Sequence, residues 1–278
     1  MAERDTVAVT GVTGSLGRLV AEGVADLDPV LLARDPTRAP EWAAEVRACD
    51  FAEGAAGEAA LRGADVLMFV SATESKDRRD VHRTFVDAAS RSGVRHIIYT
   101  SILGATPTAT FTFARDHADT EEAIRQSGME FTFLRNNLYA DLAPFLGGEA
   151  GVIRGPAGSG RLSPVARADV AAVAAAIIRD PAAHAGATYD LTGPQAMTMS
   201  ELAARTAALV GRPIRFEDES LEEAYRWRRA EYDAEPWEID GWVTTYLAVA
   251  DGSASRVSHN VERILGRPAL TLEQTLAG

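Results

Sequence analysis

Val7-Ala8-Val9-Thr10-Gly11-Val12-Thr13-Gly14-Ser15-Leu16-Gly17 is the stretch whose reading decides the fold. Its opening is a short β-branched run that reads as a buried strand ending at Gly11. Leu16, Leu19, Val20 and Val24 then recur three to four apart, which is the apolar face of a helix. Gly11, Gly14 and Gly17 stand between strand and helix in a GxxGxxG spacing. That order has a physical use. A tight turn needs positive φ, a diphosphate needs close approach to backbone, and the helix must start close to the strand. Unpaired N–H groups at the helix start then face an anion. Gly11, Thr13, Gly14, Ser15, Leu16 and Gly17 are therefore candidate dinucleotide-binding residues. A plain tight turn is the bland alternative.

The same alternation continues outward. Val30-Leu31-Leu32-Ala33 reads as a second strand and Arg47-Ala48-Cys49-Asp50 as a short third. Residues 58–62 form a brief helix closed by Gly63. Asp65-Val66-Leu67-Met68-Phe69-Val70 is a continuous apolar strand. Residues 81–90 read as a helix with Gly93 placed to cap it. Val94-Arg95-His96-Ile97-Ile98-Tyr99 is the next strand, 116–126 a helix, and Phe131-Thr132-Phe133-Leu134 a sixth strand. Near-continuous apolar strands separated by helices predict an α/β fold, a doubly wound parallel sheet of the Rossmann kind. After about residue 140 the chain becomes turn-rich, as in Gly155-Pro156-Ala157-Gly158-Ser159-Gly160. An Ala-rich helix over 169–179 and a strand at Thr188-Tyr189-Asp190-Leu191 follow. Thr198-Met199-Ser200-Glu201 is a capping box opening a helix that runs to Val210 and stops at Gly211. The last 60 or so residues read as helical and aromatic. Residues 1–140 are thus assigned to a dinucleotide-binding domain, to which 165–192 return. Residues 141–164 and 193–278 make a smaller, mostly helical substrate-side subdomain.

Composition excludes several classes. The 278 residues are 46% hydrophobic and carry 28 Lys and Arg against 40 Asp and Glu, a net charge of −12. Such a chain repels nucleic-acid phosphates on average, a local basic patch aside. No run approaches the ~18 apolar residues of a membrane span. The polar start Met1-Ala2-Glu3-Arg4-Asp5 has no leader-like core. Cys49 is the only cysteine, and His82, His96, His117, His184 and His259 are scattered without ligand spacing, so no metal site is expected. No Gly-x-Ser-x-Gly elbow occurs. A cytoplasmic protein that binds neither nucleic acid nor membrane fits this composition.

Further candidates follow from position. The end of the second strand should read the adenosine ribose. An acid there binds a free 2′-hydroxyl, whereas an Arg accommodates a 2′-phosphate. Arg34 stands there with Arg38 close behind, which favours NADPH over NADH; Asp35 could instead take the hydroxyl pair. Asp50 and Phe51 could flank the adenine. Ser71, Ala72 and Thr73 would sit near a cofactor ribose. Asn136, Asn137 and Tyr139 follow the sixth strand, at the carboxyl edge where ligands sit; they equally suit a strand-end turn. Tyr225, Trp227, Tyr232, Trp237, Trp242 and Tyr246 fall within 22 residues. Trp227, Trp237 and Trp242 could wall a pocket for an aromatic substrate, or the cluster could be the subdomain's own core. Arg226, Arg228 and Arg229 read as a solvated helix face, and Glu217-Asp218-Glu219 as surface charge.

The chain resembles the NmrA-like branch of the atypical short-chain dehydrogenases. It looks most like the NAD(P)H:quinone oxidoreductase type 2 and triphenylmethane reductase group. The resemblance rests on the Thr10 to Gly17 loop, Ala33-Arg34-Asp35-Pro36, Tyr99-Thr100-Ser101 and His117-Ala118-Asp119-Thr120-Glu121. Leu134-Arg135-Asn136-Asn137-Leu138-Tyr139 and Arg167-Ala168-Asp169-Val170-Ala171 extend it. It implies an NADP-binding Rossmann core that either reduces small electrophiles or senses its cofactor. The Tyr-x-x-x-Lys pair of short-chain dehydrogenases is replaced by Phe113 and His117. The resemblance puts His117 beside the nicotinamide, with Asn136 and Tyr139 shaping the reacting end. Thr100 and Ser101 stay near the usual hydroxyl position, and Tyr99 is a poor substitute acid. A ketone leaves an alkoxide that needs an acid, whereas a quinone leaves a delocalised anion that takes its proton from water. The expectation is an NADPH-dependent reductase of a quinone or other conjugated aromatic acceptor. A silent NADP(H) sensor acting on a protein partner is one alternative. A reductase or isomerase of a polycyclic metabolite is another. The reading leaves room for a homodimer.

Overall fold

The computed structural model describes residues 5–277, and in it the predicted alternation becomes a sheet of seven strands. The polar start from Met1 to Arg4, read as carrying no leader core, lies outside the described residues. The first half runs β1 (Val7–Val9), α1 (Ser15–Gly23), β2 (Val30–Ala33), β3 (Glu45–Ala48), α2 (Gly54–Leu61) and β4 (Val66–Phe69). Then come α3 (Arg78–Ser92), β5 (His96–Ile102), α4 (Thr112–Gln126) and β6 (Glu130–Asn136). The second half adds β7 (Val152–Gly155), β8 (Arg161–Leu162), α5 (Arg167–Arg179), β9 (Ala187–Leu191), β10 (Met197–Thr198) and α6 (Met199–Val210). It closes with β11 (Arg215–Asp218), α7 (Leu221–Glu231), α8 (Pro236–Ala250), α9 (Asn260–Leu265) and α10 (Leu272–Ala277).

The large sheet has the order β3-β2-β1-β4-β5-β6-β9, with parallel pairing from β3 through β5. Strand order reverses between β1 and β4, which is where open α/β sheets bind ligands. Thr10 ties the two strand ends at that point. Its N–H donates to the Met68 carbonyl at 3.0 Å, and its Oγ1 accepts the Val70 N–H at 2.9 Å.

Alternate residues of each strand serve opposite faces. Ala8, Leu32, Leu67, Phe69, Ile97 and Tyr99 join Leu61, Phe85 and Ala89 of α2 and α3 in one core. Full burial of each large apolar side chain there contributes about 1.5–3 kcal/mol. Gly57 lets α2 close on α3; a β-carbon there would lie 3.3 Å from Ala88 and Phe85. Helices α1 and α5 pack together in the same way, with Gly23 against Ala175 at 3.2 Å.

The chain divides into two compact units. One comprises residues up to 101, 116–135 and 167–189; the other comprises 102–115, 136–166 and 190 onward. The second unit has its own core around Ile153, Leu162, Met197, Leu202 and Val249. It also has two small sheets, β7 beside β11 and β8 beside β10, that the sequence reading did not assign as strands. They are two to four residues long and half exposed, so no apolar alternation announces them. The capping box at Thr198 and Glu201 forms as expected, and α6 ends at Gly211. Helices α2, α3 and α4 begin three or four residues earlier than the apolar periodicity suggests. Among the described residues, no helix is long and apolar enough to cross a membrane.

The start of α1 is the tightest point of the fold. A β-carbon on Gly17 would lie 2.2 Å from the Gly11 carbonyl oxygen and 2.8 Å from that of Thr10. On Gly14 it would lie 3.4 Å from Gly11, an ordinary contact. Gly17→Ala should therefore cost at least about 1–3 kcal/mol in urea denaturation. Gly14→Ala should stay within about 1 kcal/mol of the parent. Equal stabilities would contradict this packing.

Candidate functional site

The glycine loop presents backbone, not side chains. Gly11 has φ +67°, a conformation that favours glycine. Helix α1 has Gly14 as its N-cap residue, with no side-chain cap and no acid in its first turn. Its leading N–H groups are thus left for an anion. Gly14 and Ser15 are exposed, Thr13 is half-buried, and Leu16 and Gly17 are buried beneath them. Space over Gly14, contact under Gly17 and uncapped amides fit a bound diphosphate.

At the end of β2 the structure separates Arg34 from Asp35. Asp35 turns back on its own loop and accepts Thr37 N–H at 3.1 Å and Thr37 Oγ1–H at 2.6 Å. Those bonds hold its carboxyl below the usual carboxylate range. Arg34 and Arg38 are exposed and, among the described residues, form no ion pair. Two exposed cations outside any ion pair, beside a carboxylate already bonded to Thr37, suit a phosphate better than a hydroxyl pair. Asp50 is also occupied, by the Ala52 N–H at 3.0 Å. Phe51 stacks on Phe85 with centroids 4.3 Å apart, so one ring face belongs to the core.

The loop after β4 is held from beneath by a buried polar network in the same unit. Ser71 N–H donates to Thr100 Oγ1 at 2.8 Å, and Ala72 N–H donates to His82 Nε2 at 3.0 Å. Thr73 is exposed. A backbone N–H can only donate, so His82 carries its proton on Nδ1, 2.8 Å from Thr120 Oγ1. Burial and then the Arg78 charge push the His82 pKa down to about 3. His117 is 7% exposed. Its Nδ1 lies 2.8 Å from Tyr99 Oη and its Nε2 3.2 Å from Arg78 Nη2. Burial, then the Arg78 charge, hold its pKa well below 6.5. Burial raises that of Tyr99. His117 is therefore a neutral, fully engaged ring. Arg78 is 2% exposed, and its Nε and Nη1 have no partner among the described residues. The sequence reading missed Arg78 and treated His82 as scattered; their four-residue spacing on α3 was the available signal.

Ser101 faces a carboxylate. Its Oγ donates to Glu121 Oε1 at 2.6 Å, and Arg135 clasps Glu121 through Nε and Nη2 at 2.8 and 2.7 Å.

In the second unit, Asn136 Nδ2 donates to Tyr139 Oη at 3.3 Å, and Asn136 Oδ1 is buried without a partner among the described residues. Asn137 is structural: Nδ2 donates to Ser163 Oγ and the Ala254 carbonyl at 2.9 and 2.8 Å. This unit contains a cavity of about 350 Å³. Its apolar wall is Ile102, Leu103, Phe111, Ala114, Leu138 and Ala248, and Asn137 contributes an edge. Trp227, Trp237 and Trp242 do not line it. Trp227 donates its ring N–H to Glu219 at 2.6 Å and lies under Arg228 at 4.4 Å. Trp237 packs on Phe113 and Trp242 on Tyr232. Two surface assignments are corrected here. Arg228 and Glu219 are 5% and 10% exposed and form a buried ion pair at 2.7 Å, because the aromatic rings around them exclude water. Among the described residues, no group of His, Cys, Asp or Glu side chains converges as metal ligands do.

A parallel sheet with an uncapped glycine turn at its switch point defines a dinucleotide-binding Rossmann protein. An NAD(P)H-binding family matches residues 11–181. Quinone oxidoreductase 2 of Escherichia coli is 33% identical over 98% of this chain and 97% of its own length. The (4-alkanoyl-5-oxo-2,5-dihydrofuran-3-yl)methyl phosphate reductase of Streptomyces griseus is 34% identical over 95% of this chain and 94% of its own. The NADPH complex of the Escherichia coli NADPH-dependent quinone oxidoreductase superposes with a TM-score of 0.87 at 31% identity, covering 98% of this chain and 99% of that one. Citrobacter sp. triphenylmethane reductase with NADP(H) gives a TM-score of 0.84 at 30% identity, with the same coverage. The chain belongs to the NAD(P)H-binding family, and the resemblance first carried by a few motifs extends over nearly its whole length.

Two predictions follow from the charges. Arg34→Ala should weaken NADPH binding about tenfold or more and leave NADH binding nearly unchanged, measured by calorimetry. Equal losses would remove the phosphate contact. The second concerns acid. His82 and His117 titrate near 6.5 when unfolded and far lower when folded. Below pH 6.5 the unfolded chain takes up protons that the native state refuses, so stability present at pH 7 is lost as pH falls. The slope approaches about 1.4 kcal/mol per pH unit for each such histidine. Urea midpoints should drop between pH 7 and 5, less steeply in His82→Gln; a profile unchanged by that substitution would contradict the network.

Proposed function

We propose that the protein is an NADPH-dependent reductase that delivers hydride to a quinone or another conjugated acceptor. The observation that carries this reading is the uncapped Gly11–Gly17 cradle with unpaired Arg34 and Arg38 beside it. NADPH would supply two electrons as hydride, so that quinone, NADPH and one proton give hydroquinone and NADP⁺. Gly11, Thr13, Gly14, Ser15, Leu16 and Gly17 would bind the diphosphate. Arg34 and Arg38 would hold the 2′-phosphate. Ser71, Ala72 and Thr73 would follow the nicotinamide-side ribose, steadied by His82 and Thr100. His117, neutral and bonded at both nitrogens, would act as a positioning residue and supply no proton. The unpartnered groups of Arg78 and Asn136 are the kind that bound ligand or ordered water satisfies.

Without a poised acid, the acceptor must stabilise its own charge. A quinone or a conjugated oxo-dihydrofuran spreads the charge it gains over its carbonyl system, and a triphenylmethane dye cation is simply neutralised by hydride and needs no proton. Orientation and proximity then supply the rate. A second reading, reduction of a conjugated lactone in a dedicated pathway, is supported by the equal likeness to the Streptomyces griseus reductase. A cytoplasmic setting suits NADPH chemistry and the buried free thiol of Cys49.

Purified protein, NADPH and 1,4-naphthoquinone form the test, followed by loss of reduced-coenzyme absorbance. NADPH should be consumed well above the enzyme-free rate, and His117→Gln should keep activity within about tenfold. Tight NADPH binding without oxidation by any quinone, azo or triphenylmethane acceptor would instead establish a sensor.

A further inference from the structure

We infer that the cavity of the second unit is the acceptor site and that it selects uncharged, compact conjugated carbonyl compounds. The inference rests on the reductase reading above. Ile102 ends β5, Leu103 and Gly104 follow it, and Asn137 and Leu138 follow β6 without interruption. The cavity wall is thus built from the chain leaving the carboxyl ends of two central strands, where ligands of such sheets are held.

No charged side chain lines the cavity. Two charged side chains bond to residues of its wall without joining the lining. Asp251 accepts from Thr110 Oγ1 and from Ser253 N–H. Arg115 donates its Nε–H to the Ala109 carbonyl at 2.8 Å. Within the lining, a cationic dye would therefore meet no carboxylate, and a phosphate ester or sulfonate would meet no cation. Leaving such a charge unpaired in an apolar pocket weakens binding. The volume of about 350 Å³ lies near the bottom of the ~300–1,000 Å³ range of ligand pockets, which favours one or two fused rings.

The polar lining matches a carbonyl acceptor. The hydroxyls of Thr245 and Ser253 donate to the Gly241 and Ala248 carbonyls at 2.9 and 3.0 Å. Thr106 and Thr108 are exposed at the rim, and among the described residues their hydroxyls have no partner. A hydroxyl rotates to donate or to accept. The same two groups can donate to a quinone oxygen and accept from the hydroquinone that replaces it. Phe111 offers an aromatic face of the size such a ring needs.

The test is calorimetry of three acceptors with the protein–NADP⁺ complex, in which no hydride can move. Neutral 1,4-naphthoquinone should bind at least about tenfold tighter than a naphthoquinone sulfonate or a cationic triphenylmethane dye. Ala248→Phe, which fills the cavity, should abolish quinone binding and leave the NADPH dissociation constant within about twofold. Thr108→Asp, on the exposed rim, should keep the fold and improve dye binding about tenfold while that of the sulfonate worsens. Should Ala248→Phe unfold, the charge introduced at Thr108 decides alone. Quinone binding unchanged in a folded Ala248→Phe, or acceptor preferences unmoved by Thr108→Asp, would overturn the assignment. If NADPH still binds and is still oxidised by quinone in that case, only this inference falls. If NADPH produces no heat with the parent protein, the reductase reading falls first.

Discussion

Helix α1 can begin where it does only because Gly17 has no side chain. One added carbon would sit 2.2 Å from the Gly11 carbonyl oxygen. That close approach sets where the uncapped amides of α1 point, and the Thr10 bonds to Met68 and Val70 fix the strand ends beside them. Everything proposed about the coenzyme depends on this junction. The loop after β4, Arg34 after β2 and the buried ring pairs are all arranged around ends of strands whose spacing the junction holds.

The second organising feature is a buried cation that, among the described residues, forms no ion pair. The Arg78 guanidinium sits among His82, His117 and Tyr99, and burial, with the Arg78 charge adding to it, keeps both histidines neutral. Glu121, a buried carboxylate of the same unit, is already clasped by Arg135, Arg125 and Ser101. Neutral rings can orient neighbours without exchanging protons near pH 7. This suits chemistry in which the acceptor delocalises its own negative charge, and it is unsuited to protonating a developing alkoxide.

The glycine loop was legible in the sequence because Gly11, with its positive φ, and Gly17, with its close approach to backbone, have steric tasks that no other residue performs. The strands β2 and β4 were legible because they are apolar throughout. The choice between Arg34 and Asp35 was not, because it turns on Asp35 folding back onto Thr37, a bond the residue types permit but do not require. Arg78 stayed hidden because an arginine at the start of a helix is ordinarily solvated, and only tertiary packing buries it. Trp227 and its neighbours read equally as pocket wall or core, since residue type does not say which way a ring faces. Glu219 and Arg228 looked like surface charge until the rings enclosing them were in place. The short strands β7, β8, β10 and β11 owe their form to their partners, not to any pattern of their own.

The most direct measurement is a calorimetric titration of the unmodified protein with NADPH and, separately, NADH. The account predicts saturable binding of both, with NADPH the tighter by about tenfold or more. No heat from either coenzyme would contradict the claim that the turn after β1 grips a dinucleotide.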